Sequence, residues 1–328
     1  MEDMELVGLG SALVDVLAHV TDEFMEDQTQ TAGLVKGTMA LVDEARATAL
    51  YDLLPPAIES SGGSVANTVA GFAALGGRAA FVGKIAADQL GQVFTHDMRA
   101  LGVTFDVAPL THGAATGRSL ILITPDAQRT MNTFLGAAQA LTPADAPQDL
   151  IERAEITYIE GYLFDMDGPR AAAVEAARIA KDAGRRVALS LCDPFCVERH
   201  RAAFTGLIEG GSVDIVLANE AEAVALTGAK DARAALDALA CPTAAVTRSE
   251  RGALVKDEGR VVEVPAVPGV EVLDTTGAGD AFAAGFLFGL ARRKPLEGAG
   301  HLGCRAAARI IAHVGARPEG PLTDITGR

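Results

Sequence analysis

An aspartate at the end of a short glycine-rich run is the strongest chemical signal in this sequence. The run reads Asp274-Thr-Thr-Gly-Ala-Gly-Asp280 and leads into an apolar helix. The small residues Gly277, Ala278 and Gly279 leave the first backbone N–H groups of that helix uncovered, which suits a phosphate. A carboxylate at Asp280 could then orient a hydroxyl group and accept its proton as a phosphoryl group arrives. Taken alone, the same residues also fit a tight turn with an acidic cap.

Two other nucleotide-binding fingerprints are absent. No G-x-x-x-x-G-K-[ST] run occurs, and Phe282 stands where a dinucleotide loop at Gly277-Ala-Gly279 would need its third glycine. The pair Gly8-Leu-Gly10 fails in the same way, with Leu13 in the third place. A P-loop enzyme and a Rossmann dehydrogenase are therefore both disfavoured.

A second glycine-rich run lies near the N-terminus and reads Ser61-Gly-Gly-Ser-Val-Ala-Asn67. Paired glycines at Gly62 and Gly63 tolerate the changes in φ and ψ that a closing lid requires. Further upstream, Asp15 follows an apolar run, and a carboxylate at a strand end can accept hydrogen bonds from sugar hydroxyl groups. The alternative for the run Ser61 to Asn67 is a flexible turn before a capped helix. The alternative for Asp15 is a surface turn residue.

The order of these motifs resembles the ribokinase-like (PfkB) family of carbohydrate and nucleoside kinases, from Glu5 to about Pro321. The resemblance implies that Asp280 is the catalytic base and that Gly277, Ala278 and Gly279 form an anion hole. It also implies a hinge at Gly62 and Gly63. The positions expected to bind the acceptor are Ser11, Asp15, Gly62, Gly63, Ser64 and Asn67.

Two further segments resemble the ATP and Mg²⁺ motifs of that family. Asn219-Glu-Ala-Glu222 is similar to the N-x-x-E motif, and residues three apart share a helix face, so we expect Glu222 to hold Mg²⁺ through water. The alternative is a helix cap and a solvated glutamate. Thr247-Arg-Ser-Glu-Arg-Gly252 resembles T-x-G-x-x-G, with Ser249 in place of a glycine. The positions expected to bind ATP are Asn219, Thr247, Gly252, Thr276 and Gly279.

Within the family, three segments are similar to adenosine kinases: Tyr158 to Phe164, Met131 to Gly136 and Gly300 to Cys304. That similarity implies phosphorylation of the 5′-hydroxyl group of a nucleoside, adenosine to AMP, with Arg129 as a lid arginine that reaches the transferred phosphate. Arg129 could instead be a solvated hairpin charge, and Tyr162 and Phe164 could stack on a purine or pack in the core.

Other functions stay open on sequence alone. A sugar kinase for ribose, fructose or 2-keto-3-deoxygluconate would use the same base and anion hole, and a catalytically silent nucleoside or sugar sensor could share the fold. The sequence also leaves open whether a monovalent cation such as K⁺ lies near Asp274 and Thr276.

Strand-like and helix-like runs alternate through much of the chain, as in Ala79 to Val82 followed by Asp88 to Leu101. Such alternation predicts an α/β fold whose mainly parallel central sheet has helices on both faces, the three-layer ribokinase-like core. Segments 12–45 and 103–135 contain short β-type runs with little helical periodicity and predict a small β-sheet lid. We expect one kinase unit over residues 1–328, with a strand at Val270 to Leu273 before the Asp280 motif.

The charge balance limits the classes of molecule that the protein can bind. With 28 Lys plus Arg against 43 Asp plus Glu, the formal charge of −15 predicts a small-molecule substrate and disfavours nucleic acid and anionic membranes. The acidic N-terminus lacks a secretory pattern, and no apolar stretch is long enough to cross a bilayer, so we expect a cytoplasmic protein, either a monomer or a homodimer.

Overall fold

Two β-sheets and eleven α-helices make up the part of the chain that the computed structural model describes, residues 4–126 and 128–327. The strands are β1 (Leu6–Leu9), β2 (Leu13–His19), β3 (Met39–Leu41), β4 (Ile58–Gly62), β5 (Ala79–Val82), β6 (Thr116–Ile123), β7 (Arg129–Gly136), β8 (Ile156–Glu160), β9 (Arg186–Ser190), β10 (Ile215–Asn219), β11 (Thr243–Thr247), β12 (Ala253–Asp257) and β13 (Arg260–Val264). The helices are α1 (Asp22–Ala32), α2 (Glu44–Tyr51), α3 (Ser64–Ala74), α4 (Gln89–Ala100), α5 (Gln148–Arg153), α6 (Asp167–Asp182), α7 (Pro194–Glu209), α8 (Glu220–Thr227), α9 (Ala232–Ala238), α10 (Ala278–Ala291) and α11 (Leu296–Ile310).

The larger sheet has eight strands in the order β13-β12-β11-β10-β9-β8-β1-β5. Strands from β11 to β5 are parallel, and β12 and β13 extend one edge in antiparallel fashion. All four residues of β1 are buried, as expected for a parallel strand with helices on both faces. The predicted α/β fold with a mainly parallel central sheet is confirmed, and β12 and β13 are additions that the alternation did not reveal.

The smaller sheet has five strands in the order β3-β7-β6-β2-β4. Its side chains alternate between two faces: Val16 and Leu120 pack in a cluster with residues of α1 and α2, whereas Asp15 and Leu17 point to the other side. This sheet therefore has its own apolar core under α1 and α2. The predicted small sheet exists, and its edge strand β4 lies outside the segments 12–45 and 103–135.

The expectation of little helix in segment 12–45 was wrong. Helix α1 begins after Thr21, whose Oγ1 accepts a hydrogen bond from Phe24 N at 3.2 Å, and ends at Gly33, which has φ of 68°. Only Met25 and Gln28 of α1 are buried. A helix that buries so few apolar residues gives a weak periodic signal, and its start and end signals are the only clear ones.

The predicted strand at Val270 to Leu273 was also wrong. This segment is a loop after Pro268-Gly269, and Val272 and Leu273 are 54% and 55% exposed. Its apolar residues face the rim of a cavity instead of a neighbouring strand. Helix α10 starts at Ala278, directly after Gly277, which caps it with φ of 75°.

The helix that carries the Asp280 motif is deeply buried. Residues 281–289 of α10 are all buried, and α10 packs against α3 and α11. Along residues 4–126 and 128–327, every helix is too short or too polar to cross a bilayer. The acidic start, residues 1–3, lies outside the described part of the chain.

Candidate active site

The Asp280 carboxylate lies in the first turn of α10 and is held by two side chains of α3. Ser64 Oγ donates a hydrogen bond to Oδ1 at 2.7 Å, and Asn67 Nδ2 donates to Oδ2 at 2.9 Å. Both oxygens are thus oriented before any substrate arrives. Burial raises the pKa of Asp280, while the bonds from Ser64 and Asn67 and the charge of Arg317 oppose that rise.

The residues before Asp280 form a helix end that is open only in part, because Ala278 N already donates a hydrogen bond to Thr275 O at 3.2 Å. Gly277 adopts a left-handed φ of 75°, and a Cβ there would overlap Ala316. A Cβ at Gly279 would meet only open space. Within residues 4–126 and 128–327, no backbone acceptor contacts the N–H of Gly279 or of Asp280. These N–H groups can therefore receive an anion.

The predicted acceptor residues meet where the small sheet joins the large one. The Asp15 carboxylate fills the space that a side chain at Gly62 would take. Gly63 has φ of 97°, and a Cβ there would overlap Ser11 O. Burial raises the pKa of Asp15 to about 7, with the charges of Arg317 and Arg129 opposing the shift. Gly62 is thus required by a close contact, and Gly63 by a close contact and by its backbone conformation.

Sequence reasoning missed Glu160, which is buried at the end of β8. Its carboxylate accepts hydrogen bonds from Val65 N at 3.0 Å and Ser11 N at 3.2 Å. It therefore caps the N-terminus of α3 and also fixes the loop that carries Ser11. Burial raises the pKa of Glu160 to about 7. A glutamate directly after the apolar run Ile156 to Ile159 was the signal that could have found it.

Sequence reasoning also missed Arg317, which follows α11. Its Nε donates to Ser61 O and its Nη1 to Ala66 O, each at 2.8 Å. Burial lowers the pKa of Arg317 to about 10, and the nearby carboxylates of Asp15, Asp280 and Asp97 act in the opposite direction. Arg317 thus remains a cation at neutral pH beside two carboxylates of the site.

The predicted ATP residues mostly surround one cavity of about 630 Å³. It is lined by Thr247, Gly252, Ala278 and Gly279 and by apolar side chains that include Phe282. A purine fits such a lining of apolar groups with few polar ones. The site is open toward the exposed loop of Val270 to Leu273.

Two backbone positions shape the rim of this cavity. Gly252 has φ of 75°, and a Cβ there would overlap Val264 O. Ser249, where related motifs have glycine, has φ of 53°. The serine is therefore held in a left-handed conformation that a glycine would adopt without strain.

A smaller cavity of about 90 Å³ lies between Asp280 and Glu222 and is also lined by Asn219 and Gly279. Glu222 accepts from Asn219 N at 2.9 Å and from Asn219 Nδ2 at 2.5 Å, so the two residues form a capping box at the start of α8. Burial raises the pKa of Glu222 to about 7. The alternative of a solvated glutamate was wrong, because Glu222 is 6% exposed.

These residues fit Mg²⁺ only in the manner typical of phosphate-bound metal. Among the described residues, no group of three or more His, Cys, Asp or Glu side chains is arranged to hold a metal ion. Mg²⁺ in kinases keeps several waters and binds one or two carboxylates together with the phosphates. One buried carboxylate beside the open helix end, as at Glu222, suits that arrangement.

Arg129 extends from the start of β7 and pairs with Asp274 and the Thr276 hydroxyl group of the core. It is 16% exposed, so the alternative of a solvated hairpin charge was wrong. Asp274 also accepts from Thr276 N at 2.8 Å and Gly315 N at 2.6 Å. The charge of Asp274 is thus already balanced by Arg129, and Thr276 contacts Arg129 instead of lining the larger cavity.

The two aromatic residues considered for purine stacking serve the core. Phe164 is 3% exposed and makes an edge contact with Phe204, with the two ring centroids 5.1 Å apart. The hydroxyl group of Tyr162 donates a hydrogen bond to the Asp193 carboxylate at 2.6 Å. Of the two interpretations, packing is the one that these contacts favour.

Comparison with known proteins places this geometry among kinases. Residues 58–322 match the pfkB family carbohydrate kinases. The chain is 29% identical to the adenosine kinase of Saccharomyces cerevisiae, over 94% of this chain and 95% of that one. A crystal structure of adenosine kinase from Sinorhizobium meliloti is 46% identical, with a TM-score of 0.92 and 98% of each chain covered. A probable sugar kinase from Rhizobium etli is 44% identical, with a TM-score of 0.92 over 99% of this chain and 98% of that one.

Proposed function

The chain belongs to the pfkB family of carbohydrate kinases, and from that premise we propose that it transfers the γ-phosphoryl group of ATP to the 5′-hydroxyl group of adenosine, forming AMP. Two of the similar proteins are adenosine kinases, and one of them shares 46% of its residues with this chain. The chain is a phosphotransferase, and adenosine is the acceptor that its relatives favour.

One observation carries the proposal: Asp280 is oriented by Ser64 and Asn67 at an open helix end, between the Asp15 carboxylate and the cavity of about 630 Å³. A base, an anion hole, an acceptor site and a purine-sized cavity thus meet at one point. This is the set of groups that phosphoryl transfer to an alcohol requires.

The acceptor side favours a nucleoside over a bare sugar. Asp15 shares its face of the small sheet with Leu17, Ile121, Ile123 and Met131, which form an apolar cluster. A carboxylate that binds ribose hydroxyl groups next to an apolar surface suits a molecule with a polar sugar and a flat base. A free sugar would gain nothing from that surface.

In the reaction, Asp15 accepts hydrogen bonds from the ribose, and the buried Oδ1 of Asn67, which has no partner among the described residues, accepts another. Asp280 orients the 5′-hydroxyl group and takes its proton late in the transfer. The N–H groups of Gly279 and Asp280 stabilise the charge on the phosphoryl group. When Mg²⁺ is bound, it neutralises phosphate charge, and Glu222 and Asn219 are the residues that would hold it.

A coupled ADP-release assay tests the proposal. Purified protein would be given adenosine, inosine, guanosine, ribose, fructose and 2-keto-3-deoxygluconate at equal concentration, with the Asp280→Asn variant as the blank. We expect kcat/KM for adenosine at least about tenfold above that for any free sugar, because base contacts add on the order of 1–3 kcal/mol.

The same assay separates the alternatives. If a free sugar outruns every nucleoside, the chain is a sugar kinase, which its 44% identity to the probable sugar kinase of Rhizobium etli makes the second candidate. If no acceptor releases ADP above the blank while nucleosides still bind, the chain is a sensor and the kinase proposal fails.

A further inference from the structure

The guanidinium group of Arg317 bridges the two sides of the Gly62-Gly63 pair. Ser61, whose carbonyl accepts from Nε, belongs to β4 of the small sheet, and Ala66, whose carbonyl accepts from Nη1, belongs to α3 of the core. One side chain from the C-terminal part of the molecule is thus bonded to the residue just before the paired glycines and to the first turn of the helix that follows them.

The backbone of Ser61 is held from both ends. Besides the bond from Arg317 to its carbonyl, its N–H donates to Asp97 Oδ2 of α4 at 3.0 Å. Two side chains of the core therefore fix the last residue before the glycines. Gly62 and Gly63 therefore lie between two anchored points, Ser61 and α3, and rotation of β4 about the glycines requires the bonds to Ser61 to break.

Arg317 is also the cation that faces both acceptor-side carboxylates. Its charge lowers the pKa of Asp15 and of Asp280, against the effect of burial. The other charged groups around them are Asp97 beside Arg317, Glu160 near Asp280, and Arg129 near Asp15. Carboxylates outnumber cations in this group, so the loss of Arg317 would leave most of the negative charge unbalanced.

We propose that Arg317 is a positioning residue for phosphoryl transfer, which holds the Gly62-Gly63 hinge in the conformation described above and supplies the positive charge that Asp15 and Asp280 face. This inference rests on the proposed kinase function. Arg317 does not contact the reacting atoms in this scheme; it acts through the backbone of Ser61 and Ala66 and through its charge.

The test compares Arg317→Met, Arg317→Lys and a control, Arg178→Met, which removes an exposed cation of α6. For Arg317→Met we expect the acid limb of the kcat/KM profile to move up by about one pH unit, because the base loses a stabilising cation. We also expect KM for the nucleoside to rise about tenfold and hydrogen exchange in residues 58–66 to quicken. Arg178→Met should leave all three unchanged.

Arg317→Lys separates the two roles. Lysine keeps the charge but cannot bond both carbonyls as a planar fork does, so the acid limb should stay near that of wild type while exchange in residues 58–66 still quickens. The proposal is overturned if Arg317→Met lowers stability but leaves both the acid limb of the kcat/KM profile and hydrogen exchange in residues 58–66 as in wild type. If Arg317→Met does not fold, a lysine variant with wild-type hinge exchange overturns it equally.

The exchange measurement needs no substrate, so it distinguishes two kinds of failure. If wild-type protein phosphorylates none of the acceptors, the kinase function fails, and the hinge role is still decided by exchange. If wild-type protein is active and neither the pH limb nor exchange responds to Arg317→Met, only the role of Arg317 fails.

Discussion

At the scale of single residues, Asp280 differs from an ordinary helix-capping aspartate in that both of its oxygens are already bonded by side chains of α3. Ser64 and Asn67 reach it from more than 200 positions away in sequence, at separations of 216 and 213 residues. Such long-range support indicates a carboxylate held for chemistry, since a cap needs only neighbours in sequence.

Replacement of Asp280 by asparagine tests this role. We expect Asp280→Asn to lower kcat by roughly 10²–10⁴ while the fold and most of the ATP affinity persist, because an amide cannot accept the hydroxyl proton. Thermal unfolding and ATP titration of the variant serve as controls. A near wild-type kcat would exclude Asp280 as the base.

Glu222 offers a second test at this scale. We expect Glu222→Gln to raise the Mg²⁺ concentration for half-maximal rate several-fold, because a charged acceptor for metal-bound water is lost. The substitution should also weaken the capping box with Asn219 and so lower the free energy of unfolding by about 1 kcal/mol. Glu220→Gln, two residues away in the same helix and at a position paired with Arg251, is the matched control. An unchanged Mg²⁺ titration with reduced stability would assign Glu222 to capping only.

Ser249 tests the strained rim of the larger cavity. Its φ of 53° predicts that Ser249→Gly stabilises the protein by about 0.5–1 kcal/mol, the relief of left-handed strain less the entropy that glycine adds to the unfolded chain. Urea unfolding measures the change. Ser212→Gly, at a position without positive φ, should instead destabilise the protein. Equal effects of the two substitutions would contradict the backbone strain assigned to Ser249.

At the scale of elements, the two faces of the small sheet have different roles, one in folding and one in acceptor binding, because successive side chains of each strand point to opposite faces. In β6, Leu120 and Leu122 pack in the cluster under α1 and α2, whereas Ile121 and Ile123 lie on the face that also carries Asp15. Successive residues of one strand therefore serve folding and acceptor binding in turn.

A pair of neighbouring substitutions tests this division. We expect Ile121→Ala to raise KM for adenosine about tenfold with little change in kcat, because the base loses apolar contact. Leu122→Ala should leave KM unchanged, and both substitutions should lower the free energy of unfolding by about 2–4 kcal/mol, because Ile121 is 2% and Leu122 0% exposed. Steady-state kinetics and urea unfolding of both variants decide it, and a KM that responds equally to both would refute the assignment of faces.

At the scale of the whole molecule, the sequence predicted the features that depend on neighbouring residues and missed those that depend on contacts between distant parts of the chain. The glycine-rich motifs, the alternation that builds the large sheet and the buried α10 can all be read from neighbouring residues. Arg317 could not be found, because its partner Ser61 lies 256 residues away. Helix α1 was missed because it buries few residues, and Val270 to Leu273 was misread because apolar residues also line exposed cavity rims.

Stability of the whole fold should depend on the protonation of Glu160. Its pKa of about 7 exceeds its ordinary value of 4.5, so its contribution is fully present below pH 4.5 and is lost as pH rises through about 7. The loss is at most about 3 kcal/mol. We expect Glu160→Gln to reduce the difference in unfolding free energy between pH 5 and pH 8, by urea unfolding. The exposed Glu209→Gln should not, and a Glu160→Gln variant with the wild-type difference would contradict the prediction.

The separate apolar core of the small sheet has a consequence for how this enzyme can diverge. Because Val16, Leu120 and their neighbours hold the sheet to α1 and α2 from one side, substitutions on the opposite face leave that packing intact. Mutation there can therefore explore new acceptors while it disturbs only the small cluster of Leu17, Ile121 and Ile123. A library of apolar residues of similar volume at positions 17, 121, 123 and 131 should yield mostly folded proteins, and changes of substrate preference among kinases of this kind should accumulate on that face first.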